Sequence, residues 1–168
     1  KGGNNKEYKK DAFDKKFVAL LKQDKEKVDD LIERWSMIKK DPKLIEFAKQ
    51  IKEEFCKPNQ NISGKLIIFS ESKETVEELT LKLSKITNKK VLTVSAENRK
   101  QVENIIRDNF DANLEEEKWQ NDFDIIITTE VLAEGINLHR SNVIVNYDVP
   151  WNSTRLMQRI GRVNRIGS

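Results

Sequence analysis

Four short apolar runs, separated by helical or polar stretches, predict an α/β domain with a mostly parallel sheet. Ahead of them, Lys6 to Phe55 carries helical periodicity and no strand pattern, which predicts a helical extension before that domain. Composition agrees with both. With 37% hydrophobic and 35% charged residues, and only 6 Gly and 3 Pro in 168, the chain is of the folded, helix-rich kind and long enough for one domain with a real core.

The extension is read first. Phe13, Phe17, Leu20, Leu21, Val28, Leu31, Ile32, Trp35 and Ile38 recur at three- and four-residue steps, an amphipathic pattern expected to break or bend around Asp24 to Lys27. Asp41-Pro42 places a capping residue ahead of a proline suited to the first helical position. Leu44, Ile45, Ala48, Ile51 and Phe55 then supply the apolar face of a second helix. The Asn-, Ser- and Gly-rich stretch from Pro58 to Gly64 reads as a loop, so residues 1–60 are expected to form the extension or a linker and residues 61–168 the α/β lobe.

Within the lobe, Leu66-Ile67-Ile68-Phe69 is the first strand. Ser72 caps a helix carrying Val76, Leu79, Leu83 and Ile86. Val91 to Val94 is a second strand, and Val102, Ile105, Ile106 and Phe110 mark the helix after it. The acidic segment from Asp111 to Asp122 reads as a surface loop that Leu114 and Trp119 could pin. Phe123 to Thr128 and Val143 to Tyr147 are the remaining strands, and Thr154 to Arg165 is the last helix.

Several functions are excluded on composition. One cysteine, Cys56, permits neither an internal disulfide nor a multi-cysteine zinc site, and one histidine, His139, cannot build a metal site alone. A formal net charge of +3 does not by itself announce a nucleic-acid binder. No apolar run approaches the about eighteen residues of a membrane span, and the lysine-rich start adjoins no apolar core of a signal peptide. A cytoplasmic protein without a membrane partner is the expectation.

In a parallel sheet the working residues lie in loops at the carboxyl ends of strands. Three such segments stand out: Phe69-Ser70, Thr128-Thr129-Glu130 leading to Gly135-Ile136-Asn137, and Asp148 to Asn152. On the last helix Arg155, Arg159 and Arg162 recur at helical spacing beside an apolar stripe of Leu156, Ile160 and Val163, which predicts a helix packed by one face and presenting guanidinium groups on another. Taken alone, those arginines also suit an ordinary solvated face. Trp151, just before a helix that must dock, reads as a core anchor.

Gln158-Arg159-Ile160-Gly161-Arg162-Val163-Asn164-Arg165 resembles motif VI of the superfamily-two helicases. Thr128 to Leu138 is similar to their motif V, and Leu66 to Ser70 to motif IV, in the right order. Asn146 to Asn152 resembles the link between motifs V and VI in Snf-type and RapA-like DNA translocases. The chain departs from that pattern at Ser95-Ala96, at Ser153 and in the longer acidic insertion.

The resemblance implies a RecA-like three-layer lobe whose Arg162 and Arg165 reach ATP phosphates across a cleft as arginine fingers. It places Gln158, Gly135 and Asn137 at the nucleotide, and Thr129 and Ser70 against nucleic-acid phosphates, with duplex DNA the favoured partner. No Gly-x-x-x-x-Gly-Lys-Ser/Thr occurs; Gly64-Lys65 runs into Leu66, and no Asp-Glu pair ends an apolar strand. ATP with Mg2+ is therefore expected to be held mainly by an N-terminal RecA-like lobe preceding Lys1, and this lobe alone is expected to be inactive. The alternatives are the lobe of an RNA or strand-separating helicase, and a non-catalytic RecA-like module binding nucleic acid or protein.

Overall fold

A computed structural model describes residues 8–132 and 135–164. The chain divides into two compact units, one ending at Asp41 and one beginning at Pro42.

In the first unit a single turn at Lys10–Ala12 precedes α1, Lys15–Ser36. Asp14 caps α1 by accepting from the Lys16 N–H. The break expected around Asp24 to Lys27 does not occur. That stretch holds neither Gly nor Pro, and pairs one turn apart, Asp24–Lys27 and Lys25–Asp29, begin in it, so local sequence favours helix where the apolar periodicity lapses. Phe13 and Phe17 stack with ring centroids 4.7 Å apart.

The second unit contains α2 (Pro42–Gln50, continued by a π-helical turn Ile51–Phe55), β1 (Leu66–Phe69), α3 (Lys73–Ile86), β2 (Val91–Val94), α4 (Arg99–Phe110), β3 (Ile125–Thr128), β4 (Val143–Asn146) and α5 (Ser153–Gly161). The four strands are parallel in the order β2-β3-β1-β4. β1, at the centre, aligns Phe69 with Thr128 on one side and with Asn146 on the other, so the three strands end level.

Alternation along each strand divides the core between two faces. Leu66, Ile68, Ile125 and Ile127 meet α2 and α3 through Leu44, Phe47, Val76, Leu79 and Leu83. Ile67, Phe69, Ile126, Leu92 and Val94 meet Ile106 and Phe110 of α4 and the loop residues Leu132, Ile136 and Leu138. This is the expected three-layer RecA-like α/β lobe, with continuous apolar strands because both faces are covered. The second helix, which sequence placed with the extension, packs into the same core as β1. Ser72 caps α3 by accepting from the Thr75 N–H.

The acidic segment is held by its aromatic residue. Trp119 donates Nε1–H to the Leu114 carbonyl at 2.8 Å, and the Arg140 guanidinium lies 4.3 Å from its ring centroid. Arg140 Nη1 also donates to the carbonyls of Asp108 and Gln120, both at 3.0 Å. Among the described residues no helix is long and apolar enough to cross a membrane.

Candidate functional site

Because β1, β3 and β4 end level, the residues just beyond them converge on one edge of the sheet. There the Ser70 hydroxyl donates to Asp148 Oδ2 at 2.5 Å, and Lys43 of α2 donates to Asp148 Oδ1 at 2.7 Å. The same ammonium sits 3.9 Å from the centroid of the Tyr147 ring. Burial opposes ionisation of Asp148, but Lys43, Ser70 and the Glu71 N–H outweigh it and hold the carboxyl below its ordinary range.

Beside this pair lies the largest fully buried side chain, Arg159. Its Nη2 binds Glu71, beyond β1, at 2.5 Å and also binds Glu130, beyond β3. Its Nη1 donates to Asn146 Oδ1, at the end of β4, at 2.7 Å. The guanidinium carbon is 4.9 Å from the Phe69 ring centroid. The expectation of three arginines on a solvent face is thus corrected. Arg159 is 0% exposed and belongs to the packed face, whereas Ile160, counted in the apolar stripe, is 38% exposed. Two carboxylates and an amide at the strand ends provide the paired environment without which a buried guanidinium would be very costly. Arg155 remains outside, 3.6 Å from Glu71.

The other candidates fall into place around this centre. Asn152 caps α5 by accepting from the Thr154 N–H, Gln158 is exposed on the helix, and Arg162 is its half-buried C-terminal cap. The Arg162 carbonyl accepts the Leu138 N–H at 3.0 Å, which ties the loop after β3 to the end of α5. Arg165 lies outside the described residues. Thr129 is half-buried directly after β3, where the Thr128 hydroxyl donates to the Val94 carbonyl. Ser70 is 0% exposed and its hydroxyl is directed at Asp148 Oδ2.

Gly135 has φ +83°, a left-handed conformation that glycine adopts without strain. A Cβ there would also come within 2.9 Å of Arg99 Nη2. Gly135 and Asn137 border a cavity of about 120 Å³ with Glu103, Asn104 and Arg107 of α4 opposite. A larger cavity, about 500 Å³, lies against β4 between His139, Ile144, Ile160 and Val163, and none of the candidate residues that the structure describes lines it. Trp151, expected as a core anchor, is fully exposed, and neighbouring Val149 is 73% exposed. The tight strand-to-helix turn leaves the packing to Arg159 and turns the indole outward.

Sequence reasoning missed the roles of Glu71, Glu130, Asn146, Asp148 and Lys43. A signal was present in the carboxylates two residues beyond β1 and β3, facing an arginine at helical spacing from Leu156 and Val163. Among the described residues no group of three His, Cys, Asp or Glu side chains could hold a metal ion. At this edge Lys43, Arg155 and Arg159 are each paired with Asp148, Glu71 or Glu130, so its positive and negative side chains are matched within the lobe.

Comparison with known proteins agrees with this architecture. The family model described as "Helicase conserved C-terminal domain" matches residues 39–167. The "ATP-dependent RNA helicase eIF4A" of Meyerozyma guilliermondii is 30% identical over 142 residues, covering 78% of this chain and 34% of that protein. The "Uncharacterized ATP-dependent helicase YqhH" of Bacillus subtilis is 56% identical over 43 residues, 26% of this chain and 8% of that protein. The chain thus spans 34% or less of the length of these two relatives. A variant of S. cerevisiae Dbp5 bound to RNA and ADP BeF3 shares the fold, with a TM-score of 0.53 and 24% identity over 74% of this chain and 29% of that one.

Proposed function

The chain belongs to the helicase conserved C-terminal domain family, and on that premise we propose that it is the second lobe of an ATP-dependent nucleic-acid translocase or helicase, completing from across a cleft the nucleotide site of a preceding lobe. The observation that carries this reading is the placement of Arg162. It caps α5, one turn beyond the buried Arg159, and is joined by its carbonyl to the loop that holds Gly135 and Asn137.

A guanidinium stays charged and pairs bidentately with phosphate oxygens. Arg162, with Arg165 after it, is the proposed arginine finger, a group that contributes about 10³ to 10⁵ in rate at a transferring phosphoryl group. Gln158, Gly135 and Asn137 face the nucleotide in this reading, and Thr129 meets a nucleic-acid phosphate, a contact that positions the strand without reading its sequence. ATP with Mg2+, held mainly by the preceding lobe, supplies the phosphoryl group and the metal. This lobe alone, lacking the glycine-rich phosphate cradle, is expected not to hydrolyse ATP.

Duplex DNA is the first reading for the polymer, supported by the Snf-like run Asn146 to Asn152. RNA is the second, supported by similarity to proteins named as RNA helicases. ATP hydrolysis by the intact parent is to be measured with duplex DNA, single-stranded DNA and RNA, beside its Arg162→Ala variant. Stimulation by duplex that collapses in the variant supports the first reading, and stimulation by RNA alone transfers it to the second. A fully active variant removes the finger role, and no hydrolysis with any polymer leaves a non-catalytic module.

A further inference from the structure

We infer that Arg159 is the positioning residue of this lobe: by clamping the carboxylates that follow β1 and β3 it fixes the orientation in which α5 presents Arg162. The inference rests on the nucleotide-facing role proposed above for Arg162.

Helices on a sheet are ordinarily held by an apolar stripe, and in α5 that stripe is thin. Leu156 is half-buried, Met157 is 65% and Ile160 38% exposed, and the residue of α5 that is fully buried is Arg159. Apolar contact is non-directional, so it resists lifting of a helix far better than small rotations about its axis. A guanidinium fork with acceptors on two sides does resist rotation, because its hydrogen bonds are angle-dependent. Here Nη1 binds Asn146 and Nη2 binds Glu71 and Glu130, so a single side chain spans the ends of β1, β3 and β4.

Arg162 follows three residues later, so a rotation at Arg159 carries directly into its position. Glu130 also opens the segment that leads to Gly135 and Asn137, and the Leu138–Arg162 backbone bond closes it. Glu130 and Leu138 are thereby each bonded to the end of α5. An apolar side chain of similar volume would often hold a helix as firmly as a buried ion pair. Direction, which the apolar side chain lacks, is what the arginine adds.

The test uses the intact parent protein and its nucleic-acid-stimulated ATPase. Arg159→Lys keeps the charge but cannot span both sides; we expect kcat to fall about ten-fold or more, a size typical of misplaced catalytic groups, with the KM for ATP within about twofold and cooperative melting retained. In an Arg162→Lys background, where the fork to be positioned is already gone, the same substitution is expected to cost less than about twofold in kcat. Wild-type kcat in Arg159→Lys, or the same fold-loss in both backgrounds, would overturn the positioning role.

Should Arg159→Lys fail to fold, Glu130→Ala carries the same comparison, since it removes the acceptor beyond β3 while Glu71 and Asn146 keep the buried guanidinium paired. An Arg162→Ala variant of full activity would instead overturn the reading beneath the proposal. An inactive Arg162→Ala beside an unaffected Arg159→Lys overturns the positioning role alone.

Discussion

The Ser70 hydroxyl donates to the Asp148 carboxylate across 2.5 Å and joins the end of β1 to the end of β4. Ser70 is fully buried, so Ser70→Ala removes a hydrogen bond to a charged acceptor whose side chain is otherwise 30% exposed. The expected loss is about 1–3 kcal/mol of folding stability, read from urea unfolding of the two proteins at neutral pH. An unchanged midpoint would mean that Lys43 alone holds the carboxylate.

Asp148 titrates below its ordinary value of 3.8 in the folded state. Its contribution to stability is therefore complete above that value and fades as pH falls through the lower, folded one. The stability gap between wild type and Asp148→Asn is accordingly expected to be widest at neutral pH and to narrow below pH 3.8, as followed by denaturant melts across the acid range.

Arg159→Met leaves two carboxylates without their shared cation. Glu71 and Glu130 keep 35% and 31% of their side chains exposed, so water can partly recover them. The expected destabilisation is about 3 kcal/mol, the low end of the range for breaking a buried pair. Calorimetric melting of the purified lobe checks it, and a melt at the wild-type temperature would show that the clamp adds no net stability.

Lys65, at the start of β1, is 4% exposed and donates to the Phe123 carbonyl at 2.6 Å. Burial first, and the nearby Arg140 second, lower its pKa from 10.5 to about 8, while Asp124 and Asp122 act in the opposite sense. Between those two values the unfolded chain binds more protons than the folded one, so stability rises with pH in that window. The melting temperature of the wild type is expected to gain on that of Lys65→Met from pH 8 upward, and parallel curves would sink this account.

Trp151 is exposed over its whole side chain. Trp151→Ala is thus expected to change stability by no more than about 0.5 kcal/mol, the usual range for a surface site. Chemical denaturation provides the measurement, and a loss of several kcal/mol would restore the anchor role that the sequence suggested.

The amino-acid sequence by itself determined the four strands, the helices between them, the Ser72 cap and the three segments that share an edge. Each is written in short-range pattern: apolar runs such as Leu66 to Phe69, helical spacing such as Val76, Leu79 and Leu83, and turn residues between them. The motif VI resemblance of Gln158 to Arg165 was legible in the same local way and pointed to the superfamily-two helicases, whose conserved C-terminal domain matches residues 39–167. Only the tertiary structure decided the strand order, the place of α2 in the core, and which arginine faces inward. Those depend on partners distant in sequence: Glu71 and Glu130 stand 88 and 29 residues from Arg159, and Asp148 stands 78 residues from Ser70. Helical periodicity can show that Arg159 borders an apolar stripe, but whether a guanidinium stays in water or enters the core turns on the acceptors waiting there. Folding the strands level is what brings those acceptors together.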